Sequence, residues 1–360
     1  MTNDLKGRDV TTWARLLGRI GPVVLILGLL PGQSDAGDRR AAATVTGAQY
    51  CYATAAALDA ACRSQADADE AVANAICINI SDARDRARCL FDADGASDDA
   101  EDLCVEQLAA RRNACIALGQ GRYEPDSDPD DFESDFHNLA HPNRYFPIGI
   151  GYRWNYGGHE DVTIEVLDRT KSINGLTCLV SRDRVSEDGV VTEDTNDWFA
   201  QHIDGTVFYC GEETAEFETF AGDDPMLPEL VTNSGSFKWG RDGDKGGIIF
   251  PGSPRVGLVY REESSFANAE DIAQVISVNY AYGRNRDLDR LVPRALAERL
   301  CAAGDCVVTK NTSLLEPASI EYKYYARGIG FFLEVHPSSR NVLQLVNCNF
   351  DSRCVGLPTP

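Results

Sequence analysis

Six of the chain's twelve cysteines lie in one stretch whose spacing reads the same in both directions. Successive members are 11, 15, 12, 15 and 11 residues apart: Cys51, Cys62, Cys77, Cys89, Cys104 and Cys115. Because spacings of 11 and 15 residues are close to whole helical turns, these thiols share one face of a helix. A chain folded back on itself then pairs Cys51 with Cys115, Cys62 with Cys104, and Cys77 with Cys89. The inner pairings would shift if residues 78–92 packed as a separate third helix.

The stretch around these cysteines, residues 47–120, has the composition of a helical domain. Alanine dominates it, proline is absent, and alanine has the highest intrinsic helix propensity. Ser81 and Ser97 each precede acidic residues, as helix N-caps do, so we predict two or three helices with breaks near residues 78–81 and 93–98. No C-x-x-C motif and no histidine occurs here, which disfavours a metal or haem site and favours disulfides.

The other six cysteines also form plausible pairs. The expected bridges are Cys178–Cys210 between neighbouring strands, Cys301–Cys306 across a turn, and Cys348–Cys354 at the C-terminus. These pairings leave no free thiol for a catalytic cysteine. Twelve cysteines in an otherwise ordinary composition indicate an oxidising compartment.

The first 36 residues have the pattern of a cleaved signal peptide. Arg15 and Arg19 precede an apolar run over residues 21–30, and Ser34-Asp35-Ala36 supplies a small-residue cleavage site. The run is half the length of about 20 residues that a membrane span needs, so we expect no span after cleavage. We therefore predict an exported protein.

The charge balance excludes two classes of partner. The chain has 34 Lys and Arg against 56 Asp and Glu, a formal net charge of −22. Such a surface repels phosphate backbones and anionic lipid headgroups, so nucleic-acid binding and electrostatic membrane docking are not expected.

Residues 121–143 form an acidic segment with prolines, which we interpret as a solvated linker between two domains. Asp126, Asp128 and Asp130 resemble the opening of a calcium loop, but Pro129 interrupts the run and His137 stands where an EF-hand has glutamate. An EF-hand is excluded, and loose calcium binding stays open as an alternative. No other cofactor is indicated.

Residues 144–360 have the pattern of a β domain. Aromatic and β-branched runs alternate with Gly, Asp and Asn turns, among them Asn174-Gly175 and Asp188-Gly189. We predict an antiparallel meander that closes wholly or partly into a barrel or half-barrel, because a long open sheet leaves unpaired edges. One short helix is predicted over 292–302. The predicted fold class is α+β, a disulfide-stapled α-helical hairpin followed by this meander.

The densest polar and aromatic cluster in the β domain is residues 193–201. In a strand, Glu193, Asp197 and Gln201 share one face. If that face looks inward, its charges need a partner, and Lys323 is the best candidate. These residues would then form a polar ligand pocket at the barrel mouth together with Tyr325 and Glu212. The alternative is that the aromatic residues are core and the carboxylates are solvated or paired.

Several strings in this domain resemble a group of exported bacterial proteins. They include Tyr145–Gly149, Glu193–Gln201 with the pattern EDTxDWFAQ, and Lys323–Gly330 with the pattern KYYAxGxG. The resemblance covers roughly residues 145–345. It implies a bacterial secreted or periplasmic protein with a curved antiparallel sheet, similar to periplasmic lipid-carrier half-barrels. It transfers no catalytic residue.

Three functions follow as alternatives. The first is non-catalytic binding of a small molecule, lipid or cation in the β-barrel pocket. The second is docking to a cell-surface or matrix partner through the helical hairpin. The third is hydrolysis of an extracellular polymer by two convergent carboxylates, for which Glu193 and Glu212 are candidates. No catalytic residue and no metal ligand set is predicted from sequence motifs.

Overall fold

The computed structural model describes residues 49–360, so the predicted signal peptide lies outside the described residues. The described chain divides into a helical unit that ends near residue 122 and a β unit that starts at Tyr123. The helical unit consists of two antiparallel helices, α1 (Tyr50–Ile78) and α2 (Ala83–Leu118). Both lie where the alanine-rich composition predicts helix.

The nested disulfide ladder predicted from the cysteine spacing is present in the helical unit. Its three bridges have Cα–Cα distances of 5.7, 5.8 and 5.4 Å, in the order Cys51–Cys115, Cys62–Cys104 and Cys77–Cys89. Few side chains of either helix are buried, and most of these are alanine and cysteine. Such faces bury little apolar area, so the cross-links supply stability that packing does not.

The helix break predicted near residues 78–81 is present. The prediction of a second break near residues 93–98 is wrong, because α2 continues through these residues. The helix after the first break is capped by Asp82, not Ser81, and the Asp82 carboxylate accepts hydrogen bonds from the backbone N–H groups of Arg84 and Asp85. Ser97 lies inside α2, where its hydroxyl donates to Glu70 Oε2 of α1 at 3.2 Å. A serine with a partner on the facing helix has no reason to interrupt its own helix.

The β unit contains fifteen strands and two short α-helices in the described range. The strands are β1 (Arg153–Gly158), β2 (Asp161–Ile173), β3 (Leu176–Glu187), β4 (Val190–Gln201), β5 (Val207–Glu213), β6 (Glu216–Glu218), β7 (Glu229–Thr232), β8 (Phe237–Lys238), β9 (Gly247–Phe250), β10 (Val259–Arg261), β11 (Asp271–Tyr280), β12 (Cys306–Ser313), β13 (Ile320–Ala326), β14 (Gly330–His336) and β15 (Asn341–Cys348). The helices are α3 (Arg286–Asp289) and α4 (Arg294–Leu300). The short helix α4 confirms the helix predicted over 292–302.

All strand pairings are antiparallel and belong to one sheet in the part of the chain that the structure describes. The main path runs β10-β11-β12-β13-β14-β15-β1-β2-β3-β4-β5-β8, and β9 also pairs with β5. The ladder does not close, as expected for a half-barrel. Its two ends approach each other at a bridge between Lys245 and Ser264. The three disulfides of this unit join the predicted partners: Cys178–Cys210, Cys301–Cys306 and Cys348–Cys354.

The acidic segment is not a free linker over most of its length. From Tyr123 onward it belongs to the β unit, and Phe132 and Phe136 are buried there. Phe132 forms a β-bridge with His202, and the Glu133 N–H donates to Gln201 O at 2.8 Å. The linker prediction rested on the many aspartates and the prolines of this segment. The two buried aromatic side chains supply the apolar area that attaches it to the β unit.

The described chain contains no helix long and apolar enough to cross a membrane. All twelve cysteines are in disulfides, as is typical of proteins from oxidising compartments.

Candidate functional site

On β3 and β4, a row of carboxyl groups lies on the face of the sheet that points into the half-barrel. Asp197 lies opposite Ser181, and Glu193 lies opposite Val185, so both project to the same side. This side is the one that Phe199 occupies in the main apolar core. The shared inward face predicted for Glu193 and Asp197 is therefore what the strand register produces.

Gly211 brings two further polar groups to that face. Residues 209 and 212 are three apart, which in a regular strand places them on opposite faces. The pairing of β5 with β4 slips at this point, with Trp198 opposite Gly211 and Phe199 opposite Tyr209. Gly211 has φ 129°, and an added Cβ would lie 2.2 Å from Phe237 O, so only glycine fits. The resulting bulge turns both Tyr209 and Glu212 inward.

The Tyr209 hydroxyl joins two carboxyl groups of adjacent strands. It lies 2.5 Å from Asp197 Oδ1 and 2.9 Å from Glu212 Oε2, and Asp197 and Glu212 are direct neighbours in the ladder. Burial raises the pKa of Asp197 to about 7, although the Tyr209 hydrogen bond opposes this. Burial, followed by the charge of Asp197, raises the pKa of Glu212 to about 8. Both groups therefore hold protons near neutral pH.

Asp183 on β3 completes this row and is a residue that sequence reasoning missed. It lies opposite Thr195 and shares the inward face. Its Oδ1 is fully buried and has no hydrogen-bond partner among residues 49–360. Burial, together with the charges of Asp197 and Glu193, raises the pKa of Asp183 well above its usual range. The one available signal was the alternation of side chains along β3. Arg182 and Arg184 point outward, so Asp183 between them must point inward.

Glu193 lies at the edge of the row. Its Oε1 accepts a hydrogen bond from the Thr195 hydroxyl at 2.8 Å. Burial raises the pKa of Glu193, and the Thr195 bond acts against that rise. We call Asp183, Glu193, Asp197 and Glu212 the acidic row. No ion pair within the described range neutralises any of them.

The Lys323 side chain faces inward. Contrary to the prediction, however, it does not pair with the acidic row. Its Nζ lies 3.1 Å from Glu321 Oε2 on the same strand, β13, and 3.5 Å from Glu334 Oε2 on β14. Burial lowers the pKa of Lys323, but the charges of Glu321 and Glu334 outweigh it, and the net shift is upward. The reason is register: Lys323 is directly opposite Glu334 in the β13–β14 hairpin.

Tyrosines occupy the space beside these charged groups. Tyr325 is buried against Phe250, with ring centroids 4.6 Å apart. Burial, and then the charge of Asp183 and the proximity of Tyr325, raises the pKa of Tyr156. Tyr260 is only 4 % exposed, and its hydroxyl has no partner in the described chain. The interior thus offers tyrosine rings and hydroxyls between the acidic row and Lys323.

Gln201 does not join this group, despite sharing a face of β4 with Asp197. It is completely buried at the end of the strand, where its Nε2 donates to the carbonyls of His202 and Thr206. Four residues of strand separate it from Asp197, a distance of roughly 13 Å. Its Oε1 is buried there without a hydrogen-bond partner in the described chain.

Two surface depressions lie apart from the interior. One is lined by α1 residues between Ala71 and Asn79. The other is on the outer face of the sheet, where Arg182 and Asp194 form an ion pair. Neither is lined by Glu193 or Glu212, the pair considered for hydrolysis.

The acidic row can act as a receptor for positive charge. Four carboxyl groups with no cationic partner in the described chain repel one another when ionised, and a bound cation would relieve that repulsion. Tyrosine rings nearby can add cation–π attraction.

Comparisons with protein-family models, with curated proteins and with solved structures found nothing that matches this chain.

Proposed function

We propose that the β unit binds a cationic small molecule, an organic amine, at the acidic row inside the half-barrel. The observation that carries this proposal is the fully buried Asp183 Oδ1 without a partner in the described chain, next to two carboxyl groups that share a single hydroxyl donor. A buried carboxylate oxygen without a partner costs free energy that a bound ammonium group would recover.

An amine fits the spacing of the acidic row better than a metal ion does. Groups of three ligating atoms within 4.8 Å of one another occur elsewhere in the described chain, but not in this row. Oxygens around a metal lie close together, whereas an ammonium holds its acceptors farther apart. Lys323 shows the same chemistry within this sheet, because its ammonium lies between Glu321 and Glu334.

The polar lining also favours an amine over a lipid. An acyl chain placed against the acidic row would desolvate carboxyl groups without offering them a hydrogen bond. Asp197 and Glu212 both keep some exposure to solvent, as is needed for binding a small polar ligand.

Spermidine is a suitable probe, since it carries several ammonium groups. We expect the purified protein, with disulfides intact, to bind spermidine in calorimetric titration at low salt. Asp183→Asn and Asp197→Asn should each weaken binding at least tenfold. Asp194→Asn, which removes a carboxylate from the outward face of the same strand, is the matched control and should leave binding unchanged.

Two outcomes would contradict the amine proposal. One is equal weakening by all three variants, which would indicate nonspecific attraction to an acidic protein. The other is a stronger response to Ca²⁺ than to spermidine, lost in the same inward variants, which would make the ligand a metal ion.

We also propose that the protein is exported by a bacterium and acts outside the cytoplasm. The n-region, apolar run and cleavage pattern of residues 1–36 support this, and six disulfides agree with it. Mass spectrometry of the protein from an extracellular or periplasmic fraction should find an N-terminus at Gly37, the residue that follows the predicted cleavage site. A chain that retains residues 1–36 and stays in the cytoplasmic fraction would contradict export.

A second candidate function is docking through the helical hairpin. Val72, Ile76 and Ile78 of α1 are 42 %, 59 % and 68 % exposed. Acidic residues such as Glu70 flank this apolar surface, so the partner would be a protein with an apolar patch and a basic rim.

Site-specific photo-crosslinking in the native envelope tests the docking candidate. A crosslinker at position 76 should give a discrete adduct, whereas one at Ser64, which is exposed on the same helix, should not. Identical adducts at both positions would contradict hairpin docking.

A further inference from the structure

A second group of ligating atoms lies beyond the end of β4, away from the acidic row. Asp126, Asp131 and His202 each contribute one atom, and the three atoms lie within 4.8 Å of one another. His202 Nε2 is 3.8 Å from Asp126 Oδ2. Two of these residues come from the acidic segment and one from the sheet, so folding of the β unit brings them together.

Backbone hydrogen bonds and aromatic packing hold this group in place. The Ile203 N–H donates to Asp131 O at 2.9 Å, next to the β-bridge between Phe132 and His202. The Phe132 ring meets the His202 ring edge-on, with centroids 5.1 Å apart, and Phe208 lies on another side at 6.0 Å. The imidazole is therefore oriented before any ligand binds.

Asp204 determines which imidazole nitrogen is available. His202 Nδ1 lies 2.9 Å from Asp204 Oδ1, an oxygen that also accepts the Thr206 N–H at 2.8 Å. The Asp204 N–H also approaches Nδ1, at 3.2 Å, but the shorter carboxylate contact is favourable only when Nδ1 carries the proton. Nε2 then presents its lone pair toward Asp126. A carboxylate that orients a histidine in this way is the usual support of a metal-binding imidazole.

We propose that Asp126, Asp131 and His202 bind a divalent transition-metal ion of the zinc type. Zinc accepts imidazole nitrogen together with carboxylate oxygen, whereas calcium takes oxygen ligands. Bonds of about 2.1 Å in a tetrahedral site place ligand atoms roughly 3.4 Å apart. His202 Nε2 and Asp126 Oδ2 are 3.8 Å apart and all three ligating atoms lie within 4.8 Å, so the carboxylates move inward when the ion binds. Three protein ligands leave a fourth position for water. This site is independent of the amine site.

The other group with this composition, Glu321, Glu334 and His336, does not carry the same proposal. Lys323 already places its ammonium between the two glutamates, and His336 Nε2 lies 2.8 Å from Glu334 Oε1. Those ligating atoms are engaged with a cation of the chain itself.

Calorimetric titration with zinc chloride tests the proposal on the purified protein with its disulfides intact. We expect one equivalent to bind, and Asp126→Asn and His202→Ala each to weaken binding at least tenfold. His137→Ala is the matched control, because His137 is an exposed histidine of the same acidic segment that contacts Asp168. Its removal should leave zinc affinity unchanged.

A spectroscopic measurement covers the case in which His202→Ala disturbs packing against Phe132. The Asp126 side chain is 48 % exposed, so its replacement leaves that packing intact. In the unaltered protein, zinc should shift the ¹⁵N resonance of His202 Nε2 far more than that of Nδ1. Zinc binding that survives both variants, equal loss in the His137 control, or a shift confined to Nδ1 would overturn the assignment.

Discussion

Replacing Asp197 by asparagine should stabilise the β unit more at pH 8 than at pH 5. The pKa of Asp197 is raised from 3.8 to about 7. The folded state therefore binds more protons than the unfolded state between these values, and stability falls as the pH rises through this window. At pH 5 the carboxyl group is neutral in the folded protein but ionised in the unfolded chain, so only part of the penalty is present there. The asparagine amide oxygen can accept the same Tyr209 hydrogen bond.

The size of the effect at pH 8 follows from that shift. At pH 8 the whole shift of about three pH units counts, which gives a ceiling of about 4 kcal/mol. At pH 5 only the interval above 3.8 counts, which gives about 1.6 kcal/mol. Because Asp197 is half-buried and shares its hydroxyl donor with Glu212, we expect roughly half of each ceiling as the gain in the free energy of unfolding, about 2 kcal/mol at pH 8 and about 0.8 kcal/mol at pH 5. Urea denaturation followed by tryptophan fluorescence measures it, because Trp154, Trp198 and Trp239, the tryptophans of the described chain, all lie in the β unit.

Asp194→Asn provides the control on the opposite face of the same strand. Arg182 Nε donates to Asp194 Oδ1 at 2.7 Å, and this pairing lowers the pKa of Asp194. Asp194 is ionised in the folded state at both pH values, so its replacement should cost up to about 1 kcal/mol equally at pH 5 and pH 8. A destabilised Asp197→Asn variant at pH 8, or a gain of equal size at both pH values, would refute the reasoning.

Three further outcomes are expected. Removing the Cys62–Cys104 bridge by a double alanine replacement should cost about 3 kcal/mol on the loop-entropy estimate, because the two flanking bridges already shorten the loop that it closes. It should also lower the midpoint of helix melting in circular dichroism, and an unchanged midpoint would show that helix packing suffices. Gly211→Ala should cost at least about 2 kcal/mol in urea unfolding, since its Cβ meets Phe237 O and its φ is left-handed, and a neutral effect would contradict the bulge. Asp82→Ala should lower hairpin stability by about 1 kcal/mol through the lost cap, whereas Asp82→Asn should retain most of it.

The helical unit was largely predictable because its pattern is one-dimensional. The symmetric spacing of the cysteines predicts that the chain reverses direction between Cys77 and Cys89, and the structure confirms this pairing. The error at Ser97 arose because its partner, Glu70, lies 27 residues away on the other helix. A cap signal in sequence does not show whether the serine has such a partner.

The β unit was predictable in its meander but not in its local irregularities. The Asn174-Gly175 hairpin has the positive φ values of 49° and 82° that its sequence predicts. The sequence gives little sign of the strands β7 and β9, since their runs are short and border glycine- or proline-containing segments. The bulge at Gly211 was missed as well, although a glycine inside a strand is a signal for one.

The candidate site was predictable only where its strands are regular. Period-two alternation placed Glu193 and Asp197 on one inward face, but Tyr209 reaches Asp197 only through the bulge. Asp183 and the Lys323 pairing depend on which strands are neighbours and in which register, and neither can be read along one strand.

Proton release on amine binding is the most direct test of the acidic row as a cation receptor. Titrating spermidine at pH 7 in two buffers of different ionisation enthalpy measures it, because a bound ammonium should expel protons held by Asp197 and Glu212. We expect net release from the unaltered protein and a smaller release from Asp197→Asn. Binding without any release, or release unaffected by that replacement, would contradict a cation-binding role for the acidic row.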